Sequence, residues 1–299
     1  MQGGHEHQNW YVNRGTAQHD LPIAKADANT RTVFTHKLRL DMRLLRGEGV
    51  NKHGTAFHTP GALKITSSLS VIDADIKEDP IIAARVDTWW SLAAEGFRKT
   101  GIDPDRVMAR LPVPLDARES VVRNEASAFG ALLAQAYQNA TLAEAAPGQE
   151  PRFFFFNSGS IRVDDVLGPG LLNEYDVLRI LPFSGYMRIA STTGDILAKA
   201  LERGVKSPGA GAWPAYDPDV VWRQGGEWWL RAPDATKEDK KVNPQLLREL
   251  ETVVFGTTEY IINRGDGYFT TNETQVLKDS FSRNVVEVLR DTLKEMYPV

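Results

Sequence analysis

Phe153-Phe-Phe-Phe-Asn157-Ser-Gly-Ser-Ile-Arg162, with Leu181-Pro-Phe183-Ser-Gly185 about twenty residues further on, is the stretch on which the reading of the fold turns. The phenylalanine run reads as a short buried strand, and the Ser and Gly that follow as a loop. Small residues there let a ligand come close to the backbone. Asn157 and Arg162 supply N–H donors for an anionic oxygen, and the planar guanidinium fork suits phosphate. On residue chemistry alone, the segment points to binding of a phosphate or a carboxylate. The alternative roles are loop capping for Asn157 and a surface salt bridge for Arg162.

Two further segments stand out to either side. Near the C-terminus lies Tyr260-Ile-Ile-Asn-Arg-Gly-Asp266-Gly-Tyr268. At the start, Gly3-Gly-His5-Glu-His7 is followed by Pro22-Ile-Ala-Lys-Ala26 and Thr30-Arg-Thr-Val33. In this order and spacing the segments resemble the 5′-nucleotidase family, the metal-dependent hydrolases of nucleotides and UDP-sugars. The segments at 157 and 181 resemble its C-terminal substrate domain. The Tyr260 segment resembles its aromatic-x-x-Asn/Ala-Gly-Gly-Asp-Gly loop. Gly3 to His7 resembles its last metal-ligand motif, and the two short runs after it resemble the strands that close its metallophosphoesterase domain.

Composition is compatible with that resemblance and narrows little further. A chain of 299 residues accommodates about two domains. Hydrophobic residues make up 42%, enough for a core, and charged residues 25%, ordinary for a soluble protein. A formal charge of −4 leaves no basic footprint for a nucleic-acid polymer. The absence of cysteine excludes disulfides and thiol catalysis and leaves the compartment open. No apolar run approaches the length of a membrane helix. Met1-Gln-Gly-Gly-His5 has neither the basic nor the apolar region of a signal peptide, so none is expected in this chain, whereas most of the family is exported.

Residues 1 to about 76 alternate short β-like runs with polar turns, and Phe34, Leu38 and Leu40 fall on one face, as in a half-buried strand. Asn51 to Pro60 reads as a loop, and the run from Leu69 as a last short strand. Asp79-Pro80 predicts a helix start, with Ile82, Val86, Trp89, Trp90, Ala93 and Phe97 near helical spacing and Gly101 as the stop. A second helix is expected within 116–139, with Phe129, Leu132, Leu133 and Ala136 on one face, and a loop from Ala140 to Glu150. Phe183 reads as the end of a strand, Met187 to Ala190 as another, and Ile196 to Arg203 as a helix after Thr193. Residues 205–245 are the least legible, with four tryptophans among Gly, Pro and charges. A last helix is expected with Leu277, Phe281, Val285, Val288, Leu289 and Leu293 on one face.

The resemblance implies a role for each candidate residue. Asn157, Arg162 and Arg123 fall on the phosphate side. Phe183 and Tyr260 match the aromatics that sandwich the base, a stacking mode with little base selectivity. Asp266 matches the acid that accepts hydrogen bonds from ribose hydroxyls; read alone it is an Asp-Gly turn. Arg264 replaces a glycine beside it, where it would crowd the pocket or pair with Asp266. Arg123 precedes Ala126-Ser-Ala-Phe-Gly130-Ala131, where the family has Glu-Thr/Ser-Asn-Leu-Gly-Asn. The acid and both asparagines are alanine here. His5 and His7 match metal ligands of a site in which two divalent ions activate water and clamp a phosphoryl group. The family's other ligands, in Asp-x-His and Gly-Asn-His, do not occur in the sequence, and two histidines do not complete such a site. The chain therefore reads as truncated at its N-terminus.

The expected fold is mixed α and β. It comprises the remnant of a metallophosphoesterase β-sandwich over 1–78, a linker helix over 79–104 that acts as a hinge element, and an α/β 5′-nucleotidase C-terminal substrate domain over 105–299. The implied activity is hydrolysis of nucleotides, with this chain supplying mainly the substrate-binding half. The alternatives are a non-catalytic nucleotide- or nucleoside-binding module and a decayed fragment. The expected partner is a small nucleotide or nucleoside.

Overall fold

The computed structural model describes residues 9–14, 21–27, 30–41, 49–50, 56–57, 63–236, 238–239 and 242–299. The chain divides into two compact units, Met1–Trp89 and Trp90–Val299.

The first unit is built from antiparallel pairs. Strands β1 (Trp10–Asn13) and β2 (Pro22–Lys25) pair from Trp10–Lys25 to Asn13–Pro22. Strands β3 (Thr32–Leu40) and β6 (Leu63–Val71) pair from Thr32–Val71 to Leu40–Leu63, and two short strands, β4 (Gly49–Val50) and β5 (Ala56–Phe57), pair between them. The loop expected over 51–60 thus contains β5, and the rest of that segment lies outside the described residues. The alternating face of β3 exists, but it is not half-buried: Leu38 is 60% and Leu40 53% exposed. Alternation gives the direction of side chains and says nothing of whether a second layer covers them.

Helix α1 (Pro80–Lys99) starts as its sequence dictates. The Asp79 carboxylate accepts from the N–H groups of Ile81 (2.8 Å) and Ile82 (3.1 Å), satisfying two orphan donors of the first turn. Gly101, at φ +85°, follows its end. Its periodic apolar face is largely uncovered, with Ile82, Val86 and Trp89 exposed and Ala94 the one buried residue of the helix. Trp90 and Phe97 do meet a partner, packing edge-on against Tyr175 at 4.9 and 6.0 Å between ring centres.

The second unit continues with β7 (Val107–Leu111), β8 (Leu115–Asp116), the short α2 (Glu119–Val122) and α3 (Ala128–Glu144). Next come β9 (Phe155–Asn157), β10 (Val166–Leu167), β11 (Gly170–Asn173), α4 (Glu174–Ile180), β12 (Met187–Thr192) and α5 (Gly194–Val205). The little-legible segment forms β13 (Pro214–Tyr216), β14 (Val221–Gln224), β15 (Glu227–Leu230) and β16 (Gln245–Leu246). The unit ends with β17 (Val253–Thr258), the short α6 (Glu259–Ile262), β18 (Gln275–Lys278) and α7 (Val285–Met296).

The phenylalanine run organises this unit. Strand β9 pairs with β13, and Phe154 bridges in parallel to Gly256 of β17, which lies in the sheet ordered β17-β12-β18. A Cβ on Gly256 would lie 2.5 Å from the Phe154 ring, so glycine is required at this approach. Successive side chains of a strand point to opposite faces. Phe154 and Phe156 accordingly enter one core with α3, α4 and α7, whereas Phe153 and Phe155 enter a second with α5, Phe255, Tyr268 and Trp228. All four are at most 1% exposed.

Several boundaries differ from expectation. Helix α3 runs on to Glu144, through part of the expected loop, because Ala140 and Thr141 remain buried against the core. Phe183 follows helix α4, not a strand; a capping box at Asn173 and Asp176 opens that helix. Leu277 belongs to β18, and α7 begins at Val285 because Asn284 and Glu287 form a capping box there.

Candidate functional site

The loop after β9 is held by backbone contacts. Ser158 N–H donates to Trp213 O and Gly159 N–H to Gly211 O, both at 2.8 Å. A Cβ on Gly159 would meet the Gly211 Cα at 2.9 Å, so this glycine serves the close approach of two loops, and its N–H is already used. Ser160 Oγ donates to Asn157 Oδ1 (2.9 Å), which orients the amide and leaves its nitrogen without a protein acceptor among the described residues. Asn157 itself is buried.

Across from this loop, Gly185 N–H donates to Phe183 O (3.1 Å) and Val285 N–H to Gly185 O (3.0 Å), tying the 183–185 turn to the start of α7. Glu259 N–H donates to Tyr186 O (2.8 Å), and Arg188 pairs with the Glu259 carboxylate at 3.1 Å, which fixes α6 beside the same turn. Between these elements lies a cavity of about 400 Å³. Asn157, Gly159 and Ser160 line it on one side, Phe183 and Tyr260 stand at its mouth, and Tyr137, Phe156 and Leu181 close its buried end. Phe183 is 61% and Tyr260 49% exposed, so neither is a core residue.

Two buried hydroxyls of lining residues, Tyr137 Oη and Thr258 Oγ1, have no hydrogen-bond partner among the described residues. Burial pushes the Tyr137 phenol far above its ordinary value, so it stays neutral. These residues were not singled out from sequence. The legible part of Tyr137 was its spacing, four residues after Leu133 on the buried face of α3.

Asp266 lies beside the cavity, not in its lining. It sits in the tight turn Gly265–Gly267 at φ 55°, and Tyr260 Oη donates to its Oδ1 at 3.0 Å. A Cβ on Gly265 would lie 2.3 Å from the Tyr260 ring, so the ring rests directly on this glycine. The phenol of Tyr260 is raised, first by partial burial and then by the Asp266 charge. Arg264 adopts φ 70° and is exposed; it neither lines the cavity nor pairs with Asp266.

Arg123 and Arg162 are brought together elsewhere, and neither lines the cavity. Arg123 forms a partly buried ion pair with Glu119, one turn before it. Burial pulls the Arg123 guanidinium below its ordinary value, Glu119 opposes this, and the neighbouring charge of Arg162 lowers it further. Its Nε is buried without a partner among the described residues. The serine and glycine that follow it serve the helix: Ser127 caps α3, with Oγ accepting from Gly130 N–H at 3.0 Å, and a Cβ on Gly130 would press on that hydroxyl.

His5 and His7 lie outside the described residues. Among the described residues, no three or more His, Asp or Glu side chains are grouped to hold a metal ion. No helix of the described residues is long and apolar enough to cross a membrane.

Residues 107–225 match the family model for the 5′-nucleotidase C-terminal domain. Among solved structures, it is similar to a 5′-nucleotidase precursor from Thermus thermophilus, at 16% identity and a TM-score of 0.69 over 99% of this chain and 55% of that one. It is also similar to a 5′-nucleotidase from Candida albicans, at 14% identity and a TM-score of 0.56 over 98% of this chain and 56% of that one. At these identities the likeness shows the mixed α/β fold alone. The chain thus spans about half the length of the solved structures it matches. A comparison with curated protein sequences found no match.

Proposed function

We propose that the Trp90–Val299 unit holds a nucleoside 5′-phosphate, as the substrate-binding half of a 5′-nucleotidase-type phosphoester hydrolase. The observation that carries this reading is the cavity itself. Asn157, Phe183 and Tyr260, from three separated segments of the chain, line one space of about 400 Å³. That volume suits a small heterocyclic ligand. In this reading the base enters between the rings of Phe183 and Tyr260, and the Asn157 amide nitrogen donates to a polar edge of the ligand. Asp266 accepts from the ribose hydroxyls, and Arg162, with Arg123 behind it, attracts the phosphate. The described residues do not fit a metal pair, so what they do is bind and orient. The chemistry of water activation belongs to residues outside them, among which His5 and His7 are the candidates in this chain. Catabolism of nucleotides outside the cytoplasm, as in family members that are exported, is the corresponding cellular role.

Ligand-observed NMR titration with adenosine tests the reading. The wild type should bind in the millimolar to high-micromolar range, since stacking of about 1–3 kcal/mol per ring is set against the entropy lost on association. Phe183→Ala should weaken binding. No binding at millimolar adenosine, or equal binding by Phe183→Ala, would overturn the assignment.

A further inference from the structure

The base-stacking face and the sugar acceptor of the candidate site are joined by one hydroxyl. A phenylalanine at 260 would offer the same ring for stacking, so the hydroxyl must be explained by what it touches. It donates to Asp266 Oδ1 at 3.0 Å. Among the described residues it is the one donor to that carboxylate. Asp266 is exposed, carried on a turn with φ 55°, between glycines. Without a tether, such a carboxylate samples several rotamers, and a ligand must order it on binding. The ring that carries the hydroxyl is itself fixed by its seat on Gly265, where no Cβ would fit. Ring, glycine and carboxylate therefore form one preorganised piece.

We propose that the Tyr260 hydroxyl is a sugar-selectivity element, a positioning residue that fixes the Asp266 carboxylate so that its remaining acceptor sites meet a vicinal diol in one orientation. A carboxylate has about four lone-pair directions over two oxygens, and the phenol takes one of them. Enough remain for both hydroxyls of a ribose, and a 2′-deoxyribose leaves one of these acceptors unused. The raised phenol keeps the hydroxyl protonated, hence a donor, through the neutral range. The ligand class is a ribonucleoside or ribonucleotide. The proposal rests on the nucleoside reading of the cavity and goes beyond it, because it assigns the discrimination to an atom that makes no stacking contact.

The test uses the full chain and compares dissociation constants for adenosine and 2′-deoxyadenosine in the wild type, Tyr260→Phe, Asp266→Ala and the double variant. Tyr260→Phe keeps the ring, so 2′-deoxyadenosine should bind within about twofold of the wild type, while adenosine weakens about fivefold or more as the acceptor loses its preorganisation. The ribose preference should fall accordingly. In the Asp266→Ala background, Tyr260→Phe should change nothing further, because the hydroxyl acts only through that carboxylate. A ribose preference unchanged or increased in Tyr260→Phe would overturn the proposal while leaving the nucleoside site standing. So would an equal effect of Tyr260→Phe with and without Asp266. If the wild type binds neither nucleoside, the nucleoside reading and this proposal both fall.

Discussion

The two units differ in what their strands are for. In Trp90–Val299, β9 stands between two cores, and its phenylalanines are at most 1% exposed. In Met1–Trp89, β3 and β6 pair over their whole length, yet no apolar side chain among the described residues is buried. Both regions have the backbone ladder; one of them has the packing. Because hydrogen bonds to water are exchanged for hydrogen bonds in the ladder, pairing alone contributes little net stability. Burial of apolar surface contributes more, and a lone two-stranded hairpin is marginal in water. Stability here therefore follows side-chain burial, and strand content is a poor guide to it.

Three experiments put this contrast at risk. The largest effect is expected for Phe155→Ala, which should destabilise the second unit by about 3–5 kcal/mol through the cavity it leaves. Leu38→Ala on the exposed face of β3 should stay within about 0.5 kcal/mol. Urea unfolding of the two variants gives both values, and comparable losses would erase the contrast. Native-state hydrogen exchange gives the same comparison without mutation. Amides of β12 and β17 should exchange only on global opening, and those of β3 and β6 by local opening at much lower free energy. Uniform protection would contradict it.

Within the second unit, effects on binding should be smaller. Phe183→Ala and Tyr260→Ala should each cost about 1–3 kcal/mol of adenosine affinity, measured by titration, with the fold unchanged because both rings are about half exposed or more. The most selective effect is expected for Arg162→Ala. It should weaken AMP by about 1.5–3 kcal/mol, the range for a charged hydrogen bond, and leave adenosine within about twofold. An equal loss for both ligands would place Arg162 at the nucleoside and not at the phosphate.

Much of the second unit was legible in the sequence, for physical reasons that differ by residue. The phenylalanine run announced its burial because an uninterrupted apolar segment has no solvent face. Asp79-Pro80 announced a helix because its chemistry is local, an aspartate oxygen within reach of two N–H groups. Asn157, Phe183 and Tyr260 were singled out through the motifs they sit in, and they line one cavity. What could not be read depends on contacts distant in the chain. Gly159 answers to Gly211, and Tyr137 reaches the cavity only because α3 packs across β9 and β13. In 205–245, β14, β15 and β16 are short strands that pair with one another, and β13 finds its partner in the distant β9. The exposure of the α1 face was not legible for a related reason, since helical spacing of apolar residues signals a stripe and not a neighbour to cover it.

Whether the cavity beside β9 is a nucleotide site is decided by a chemical-shift map of the full chain titrated with AMP. Saturable shifts are expected at the amides of 157–160, 183–186 and 258–267, with smaller ones near Arg123 and Arg162 and none in β3 or β6. Shifts that avoid the cavity, or no saturable shifts at millimolar AMP, would contradict the assignment.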